Sequence, residues 1–273
     1  MLKPEFTELI KKGYAYDPIS QLDEDWIMIR SLYNNNYLKN EVTEQKIPKI
    51  IHQIWLGSPV PKRYISFMES WKRKNPDWRY ILWTDKEARS FPMVNRQLFE
   101  RTSNLGSKSD ILRYEILKQY GGLYIDTDFE CLKSFDDFLY LKFFTGFSYD
   151  KNLQLYNGLI ACTPNNPILV MCVHNLPINL PLGRKRNNIL DITGPNFFTK
   201  QFKMMVDKNS TGIVCFPMEF FYPLPNNKIG EDPKPFITKN SYCVHYWDVS
   251  WMPNKKVIYN KPPAMNQSFL HVR

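Results

Sequence analysis

The segment SKSDILRYEILKQYGGLYIDTDFECL, residues 107–132, decides the fold that the sequence predicts. Its first half carries apolar residues at helical spacing, and Ser107 or Ser109 is a suitable N-cap. Gly121 follows the last helical residue, at a position where a left-handed terminator favours glycine. An apolar run begins at Leu123, so we expect a buried strand directly behind the helix.

Two aspartates stand at the end of that apolar run. On a strand from Leu123 to Asp128, a period of two places Tyr124, Asp126 and Asp128 on one face. In open α/β sheets, ligands bind beyond the carboxyl ends of the strands. Two carboxylates there can hold a hard divalent cation, share a proton or lie in water, and the spacing alone leaves all three interpretations open.

Three neighbouring features favour a cation. The preceding strand is apolar, so two ionised carboxylates at its tip would repel each other unless a cation or a proton intervenes. Asp110 and Arg113 lie at i, i+3 on one helix face. His245, late in the chain, can complete a mixed oxygen and nitrogen shell as a neutral imidazole. This set suits Mn²⁺ or Mg²⁺, with phosphate oxygens and water in the remaining positions.

The rest of the chain predicts an α/β domain. Apolar strands at 47–57 and 79–85 flank a helix at 62–74, and a βαβ unit of this kind predicts a mostly parallel sheet flanked by helices. Patchy helical periodicity over 1–45 predicts an N-terminal helical extension, with a single main domain over 46–273. His52 is expected to be a histidine of the core or the pocket wall.

Composition narrows the partners. The formal net charge of +9 favours anions, but the basic clusters at 72–74 and 183–186 are short and no RNA-binding signature accompanies them, so we expect no nucleic-acid partner. Peripheral contact with an anionic membrane stays open. The five cysteines are odd in number and widely spaced, which argues against a disulfide framework and a zinc site. With no signal-peptide pattern and no apolar run of about 18 residues, a soluble cytoplasmic protein is expected.

Six blocks of the sequence, taken together, resemble a known family. The blocks are IPKIIHQIWLG, NPDWRYILWTD, the opening segment, YNGLIACTPNNP, TGP and VHYWDVSW, which extend from about Ile47 to Trp251. In this order they resemble the DXD-containing glycosyltransferases of family 32, which include fungal mannosyltransferases and capsular polysaccharide enzymes and are related to the clostridial glucosylating toxins. The resemblance implies a GT-A fold, a nucleotide-sugar donor, a Mn²⁺-type cofactor and retention of anomeric configuration.

The resemblance also implies roles in binding the donor. Trp55 would stack on the base, and Asp110 and Arg113 would hold the donor sugar and nucleotide. Asn157 falls in a block that lines the sugar side of the pocket in similar enzymes. Ser250 and Trp251 look like the closing-loop residues that meet the departing phosphate.

The implied metal site and catalytic set overlap. Asp128 would ligate the metal directly, His245 would be the second protein ligand, and Asp126 would contact the ribose and a metal-bound water. Asp126, Asp128 and Arg113 are the expected catalytic residues.

The expected function is transfer of a hexose from a UDP- or GDP-sugar to a hydroxyl group of a glycan, a lipid or a protein. Two other classes stay open. A nucleotidyl or phosphoryl transferase would need further clustered carboxylates, for which Glu130 is the only obvious candidate. A non-catalytic binder of nucleotide-sugar or glycan could use the same fold. Apart from the TGP block, residues 181–240 show no alignment with the family.

Overall fold

A computed structural model describes residues 3–11, 23–39, 44–150, 152–183 and 188–248. The predicted site residues Ser250 and Trp251 lie outside these described residues.

A six-stranded sheet forms the centre of the described structure. Its strands follow the order β2, β1, β3, β6, β5, β7, and a second sheet pairs β4 with β8. Numbered along the chain, the strands are β1 Ile50–Ile54, β2 Arg79–Trp83, β3 Gly122–Ile125, β4 Phe129–Cys131, β5 Phe143–Asp150, β6 Asn152–Cys162, β7 Ile213–Phe216 and β8 Cys243–His245.

The large sheet is mostly parallel. β1 pairs in parallel with both β2 and β3, and β5 pairs in parallel with β7, whereas β6 runs antiparallel between β3 and β5. The side chains of β3 are fully buried, as expected for a strand covered on both faces. The mostly parallel sheet of the GT-A expectation is therefore confirmed.

Helices flank this sheet. They are α1 Phe6–Lys11, α2 Glu24–Tyr33, α3 Lys62–Lys74, α4 Asp85–Ser90, α5 Arg96–Arg101, α6 Leu105–Tyr120, α7 Pro167–Gly183, α8 Ile189–Ile192, α9 Pro195–Met205 and α10 Met218–Phe221. A π-helical turn at Asn34–Leu38 continues α2. The predicted helix at 62–74 is confirmed as α3, which buries Tyr64, Met68 and Trp71 on one face.

Two details of the opening segment were predicted wrongly. α6 begins earlier, with Asn104 as its N-cap, because the Asn104 side chain accepts a hydrogen bond of 3.0 Å from the Ser107 N–H and Ser107 lies inside the helix. β3 ends at Ile125, because the chain turns before β4 begins at Phe129. Gly121 is confirmed as the helix terminator, with φ of 62°.

The N-terminal helices share the core of the sheet. Phe6 and Trp26 are almost fully buried, and the Phe6 ring stacks 6.1 Å from that of Phe147 on β5. Tyr33 lies 6.0 Å from Phe216 on β7, centroid to centroid. The division into 1–45 and 46–273 remains our proposal for the limits of the two units.

The structure shows the state of the cysteines and the apolar character of the described helices. All five cysteines are buried and unpaired, so no disulfide is present among them. Among the helices in the described ranges, none combines the length and the apolar character needed to cross a membrane.

Candidate active site

One cavity of about 450 Å³ lies beyond the carboxyl ends of β1 and β3. All the predicted site residues within the described ranges line it: Trp55, Asp110, Arg113, Asp126, Asp128, Asn157 and His245. The sequence places these residues almost 200 positions apart, and the sheet brings them to one edge, as expected for open α/β folds.

Asp126, Asp128 and His245 form the candidate metal centre. One ligand atom from each lies within 4.8 Å of the others, and His245 Nε2 is 3.0 Å from Asp128 Oδ2. The imidazole is stacked on Phe129, with ring centroids 4.2 Å apart, so its orientation is fixed by packing. Two carboxylates and one imidazole are a donor set that suits Mn²⁺ or a similar cation. The residues present therefore fit the metal that the resemblance implies.

Asp126 is held from two sides. Its Oδ1 accepts hydrogen bonds from Arg113 Nη2 at 3.0 Å and from the Tyr124 hydroxyl at 2.6 Å. A Cβ on Gly158 would lie 2.7 Å from Asp126 Oδ2, so only glycine leaves room for this carboxylate. Burial raises the pKa of Asp126 above its ordinary value, while the Arg113 guanidinium acts in the opposite direction.

Asp110 belongs to a buried polar network in the cavity wall. Its Oδ1 accepts a hydrogen bond of 2.8 Å from Asn157 Nδ2, and its Oδ2 accepts one of 2.8 Å from the Thr193 hydroxyl. Arg113 Nη1 lies 3.3 Å from the same carboxylate. Burial raises the pKa of Asp110 to about 6, although Arg113 and the hydrogen bonds oppose the shift.

Arg113 connects the two carboxylates. It is almost fully buried, contacts Asp110 and Asp126, and donates a short hydrogen bond to the carbonyl oxygen of Asn157. Its guanidinium carbon also lies 4.2 Å from the centroid of the Tyr124 ring. Arg113 is therefore a buried partner of Asp110, and most of its donors are already engaged.

Trp55 also lines the cavity. It is half-buried, its indole N–H donates to Ser58 Oγ at 3.1 Å, and its ring packs 4.8 Å from that of Tyr64. Leu56 and Leu105 line the cavity nearby. An indole supported on one side beside apolar side chains is suited to receive a planar aromatic group.

His52 is structural, as the sequence predicted. Its Nε2 lies 3.0 Å from the Gly121 carbonyl oxygen, and Trp83 Nε1 donates to its Nδ1 at 3.1 Å. Burial lowers the pKa of His52 to about 4. The imidazole is therefore neutral at physiological pH and takes no part in the cavity.

Several residues in the cavity wall or in contact with it were not predicted as site residues. Tyr124 was placed on the face of the aspartates but was given no role, although its hydroxyl bonds to Asp126. Thr193 lies in the TGP block, and Gly158 and Asp248 lie in two other matching blocks, so the blocks were a signal for all three. Trp247 has φ of 58°, a conformation that sequence patterns do not predict for tryptophan.

Comparison with known proteins agrees with this site. Residues 61–143, which include both aspartates, match the family described as the glycosyltransferase sugar-binding region containing a DXD motif. This part of the chain belongs to that family. The family that the sequence resembles is thus confirmed.

Several relatives carry names of this enzyme class. Inositol phosphoceramide mannosyltransferase 1 of Schizosaccharomyces pombe is 35% identical over 216 residues, which cover 76% of this chain and 63% of that protein. An uncharacterised glycosyltransferase of Acanthamoeba polyphaga mimivirus is 28% identical, over 77% of this chain and 86% of that protein. The subversion of eukaryotic traffic protein A of Legionella pneumophila is 25% identical, over 83% of this chain and 42% of that protein. The predicted enzyme class, a glycosyltransferase, is confirmed.

The chain is shorter than several of these relatives. It spans 63% of the first Schizosaccharomyces pombe protein and 42% of the Legionella pneumophila protein.

Proposed function

We propose that the chain transfers a hexose from a nucleotide-diphosphate sugar to a hydroxyl group, with a bound Mn²⁺ or Mg²⁺ ion. The observation that carries this proposal is the convergence of Asp126, Asp128 and His245 at a cavity that Trp55 also lines. The cavity is large enough for a small-molecule ligand, since such sites typically measure about 300 to 1,000 Å³.

Charge explains why a cation is needed. Four carboxylates line the cavity, those of Asp110, Asp126, Asp128 and Asp248, and the guanidinium groups of Arg113 and Arg63 pair with three of them. Near Asp126 and Asp128 the negative charges of the carboxylates exceed the positive charges, so a diphosphate would be repelled there. A bound divalent ion supplies Lewis-acid stabilisation of the charge that develops on the leaving diphosphate, a contribution of several kcal/mol.

The protein residues orient the donor. Asp126 and Asp128 would hold the cation together with His245, and Trp55 would bind the base. Asp110 and Asn157, which are hydrogen-bonded to each other in the cavity wall, would contact the sugar. Because Arg113 is engaged by Asp110 and Asp126, we assign it mainly to fixing both carboxylates. The walls would exclude water and so limit hydrolysis of the donor.

A nucleotidyl or phosphoryl transferase is less well supported. A two-metal site would need further carboxylates. Glu130, the extra carboxylate considered from the sequence, accepts a hydrogen bond of 2.7 Å from the Tyr246 hydroxyl and is not part of the cluster of potential ligands found among the described residues. The single three-residue cluster therefore favours sugar transfer from a diphosphate.

Substrate identity follows from the relatives only as a proposal. Several relatives are named mannosyltransferases, so a mannose-bearing donor is the first to test. We also propose retention of configuration and an acceptor that is a glycan, lipid or protein hydroxyl. Ser250 and Trp251 keep their proposed role at the departing phosphate, and a cytoplasmic location stays a prediction.

The test measures thermal stabilisation by UDP- and GDP-sugars with and without Mn²⁺, followed by nucleotide release with candidate acceptors. We expect stabilisation that needs both donor and Mn²⁺ and is lost in Asp128→Asn. Glu231→Gln, which removes an exposed carboxylate paired with Lys228, is the matched control and should behave as wild type. Equal stabilisation by nucleoside triphosphates would favour nucleotidyl transfer, and binding without nucleotide release would favour a binder.

A further inference from the structure

Residues 245–248 surround Asp128. The Asp248 N–H donates a hydrogen bond of 2.7 Å to Asp128 Oδ2, the oxygen that also lies 3.0 Å from His245 Nε2. The Tyr246 N–H donates to the Asp128 carbonyl oxygen at 3.0 Å. The orientation of the Asp128 carboxylate therefore depends on where this short segment lies.

The segment is held in an unfavourable backbone conformation. Trp247 has φ of 58°, in the left-handed region that a bulky residue rarely adopts. Such a conformation persists only where the surrounding contacts impose it. The indole N–H of Trp247 donates to the Leu224 carbonyl oxygen at 2.7 Å, and its ring lies 4.3 Å from that of His245.

The Asp248 side chain supplies the strongest of these contacts. Its carboxylate is almost fully buried, with 6% of the side chain exposed, and Arg63 Nη2 lies 2.8 Å from its Oδ2. The Tyr64 hydroxyl donates a short hydrogen bond to the same oxygen. Hydrogen bonds to a buried, ionised carboxylate are about twice as strong as neutral ones, so Arg63 and Tyr64 fix the segment to the first turn of α3.

Tyr64 also contacts a second residue of the cavity lining. Its ring centroid lies 4.8 Å from that of Trp55, the proposed platform for the base. One residue thus supports Trp55 with its ring and Asp248 with its hydroxyl. Substitutions at this position can separate the two contributions.

We propose that Asp248, held by Tyr64 and Arg63, is a positioning residue that orients Asp128 toward the cation. This role rests on the proposed function. Asp248 itself is not among the clustered potential ligands, which are Asp126, Asp128 and His245. It acts through the backbone N–H that bonds to Asp128 and through the carboxylate that anchors the segment.

The experiment measures Mn²⁺ affinity and nucleotide affinity separately. Tyr64→Phe removes the hydroxyl and keeps the ring, so we expect the dissociation constant for Mn²⁺, titrated in the presence of UDP or GDP, to rise roughly tenfold, as for residues that support a metal ligand. The affinity for the nucleotide in EDTA should not change. Tyr64→Leu removes the ring as well and should weaken both.

Tyr242→Phe is the matched control. Its hydroxyl donates a hydrogen bond of 2.6 Å to the Asp137 carboxylate, away from the cavity, so its loss should leave the Mn²⁺ dissociation constant unchanged. Asp248→Asn combined with Tyr64→Phe should weaken Mn²⁺ binding by less than the product of the single effects, because both substitutions break one contact.

Two results would overturn the role of Asp248. One is a Tyr64→Phe variant that binds Mn²⁺ with wild-type affinity, at any melting temperature. A lowered melting temperature without a change in Mn²⁺ affinity would indicate that the hydrogen bond is purely structural. The other is a double variant whose Mn²⁺ dissociation constant rises by the full product of the two single effects. Failure of the wild-type protein to bind Mn²⁺ with either nucleotide would overturn the proposed function, and this role with it.

Discussion

Asp110 is the residue at which stability and the proposed function oppose each other. Only 6% of Asp110 is exposed. Its pKa is raised to about 6, which indicates that removing the charge from water costs more than the contacts with Arg113, Asn157 and Thr193 stabilise. An asparagine of the same shape could still accept from Asn157 and donate to the Thr193 hydroxyl. A charged residue at this position therefore costs stability, and we attribute its presence to contact with the donor sugar.

This cost predicts a pH dependence. The native state keeps the Asp110 proton up to about pH 6, whereas the unfolded chain loses it near the ordinary value of 3.8, so ionisation lowers the unfolding free energy as pH rises between these values. Asp110→Asn has no carboxyl group at this position, so its unfolding free energy does not fall for this reason. Relative to wild type, the variant should gain roughly 3 kcal/mol between pH 4 and pH 7, as measured by urea unfolding. Parallel pH profiles for the two proteins would contradict the assignment.

At this scale the sequence predicted pairs that are close along the chain. The i, i+3 spacing of Asp110 and Arg113 and the two-residue spacing of the aspartates are local, and both pairs meet as expected. Thr193 lies 83 residues from its partner Asp110, so no local pattern could connect them. Burial of Arg113 also depends on the sheet that covers it, which spacing does not reveal.

Among the elements, β6 is shaped by an irregularity at the site. Gly146 pairs with Tyr156 and the adjacent Thr145 pairs with Ile160, so three residues of β6, 157–159, have no partner on β5. This bulge carries Asn157 and Gly158 toward Asp110 and Asp126. Bulges next to active sites redirect side chains in this way.

Thr145 stabilises that bulge. Its fully buried hydroxyl lies 2.8 Å from the carbonyl oxygen of Tyr156, the residue before the unpaired stretch, and 2.7 Å from that of Leu159, the last residue within it. The hydroxyl has one proton, so it donates to one of the two carbonyls at a time. Its side chain therefore spans the irregular part of β6.

We expect Thr145→Val to lower the unfolding free energy by roughly 1 to 3 kcal/mol, because the isosteric side chain leaves buried carbonyl groups without this donor. Donor-dependent thermal stabilisation should fall as well, since Asn157 and Gly158 lose their fixed position. Thr102→Val, which removes a hydroxyl bonded to the Leu98 carbonyl oxygen at 2.8 Å outside the cavity, serves as the control for donor binding. Normal donor stabilisation in Thr145→Val would show that the bulge does not depend on this hydroxyl.

Strands and helices themselves followed from apolar periodicity, and β1, α3 and β2 lie within the ranges predicted for them. The bulge did not follow, because two long apolar runs pair well in several registers and only the three-dimensional ladder selects one. The Asn-Gly pair at 157–158 interrupts the β6 run and was the available local signal.

Over the whole molecule, the N-terminal segment is joined to the far edge of the sheet. Asn36 donates through Nδ2 to the carbonyl oxygens of Ser210 at 2.8 Å and Ile213 at 3.0 Å, and its Oδ1 accepts from the Gly212 N–H at 2.9 Å. The sequence around it is a polar run, yet Asn36 is only 6% exposed. A buried asparagine that satisfies three backbone groups cannot be distinguished from a surface one by composition.

The hydrogen bonds of Asn36 predict how the molecule unfolds. Asn36→Ala leaves a buried N–H and two carbonyl groups without partners, so we expect it to lower the unfolding free energy by roughly 2 to 4 kcal/mol. Asn34→Ala in the same π-helical turn is the matched control, because the buried Oδ1 of Asn34 has no hydrogen-bond partner and its loss should be nearly neutral. If α1, α2 and the sheet unfold together, circular dichroism and tryptophan fluorescence will report one coincident, shifted urea transition for Asn36→Ala. An early separate transition that leaves Mn²⁺-dependent donor stabilisation intact would instead show that the residues before 46 fold as an independent extension.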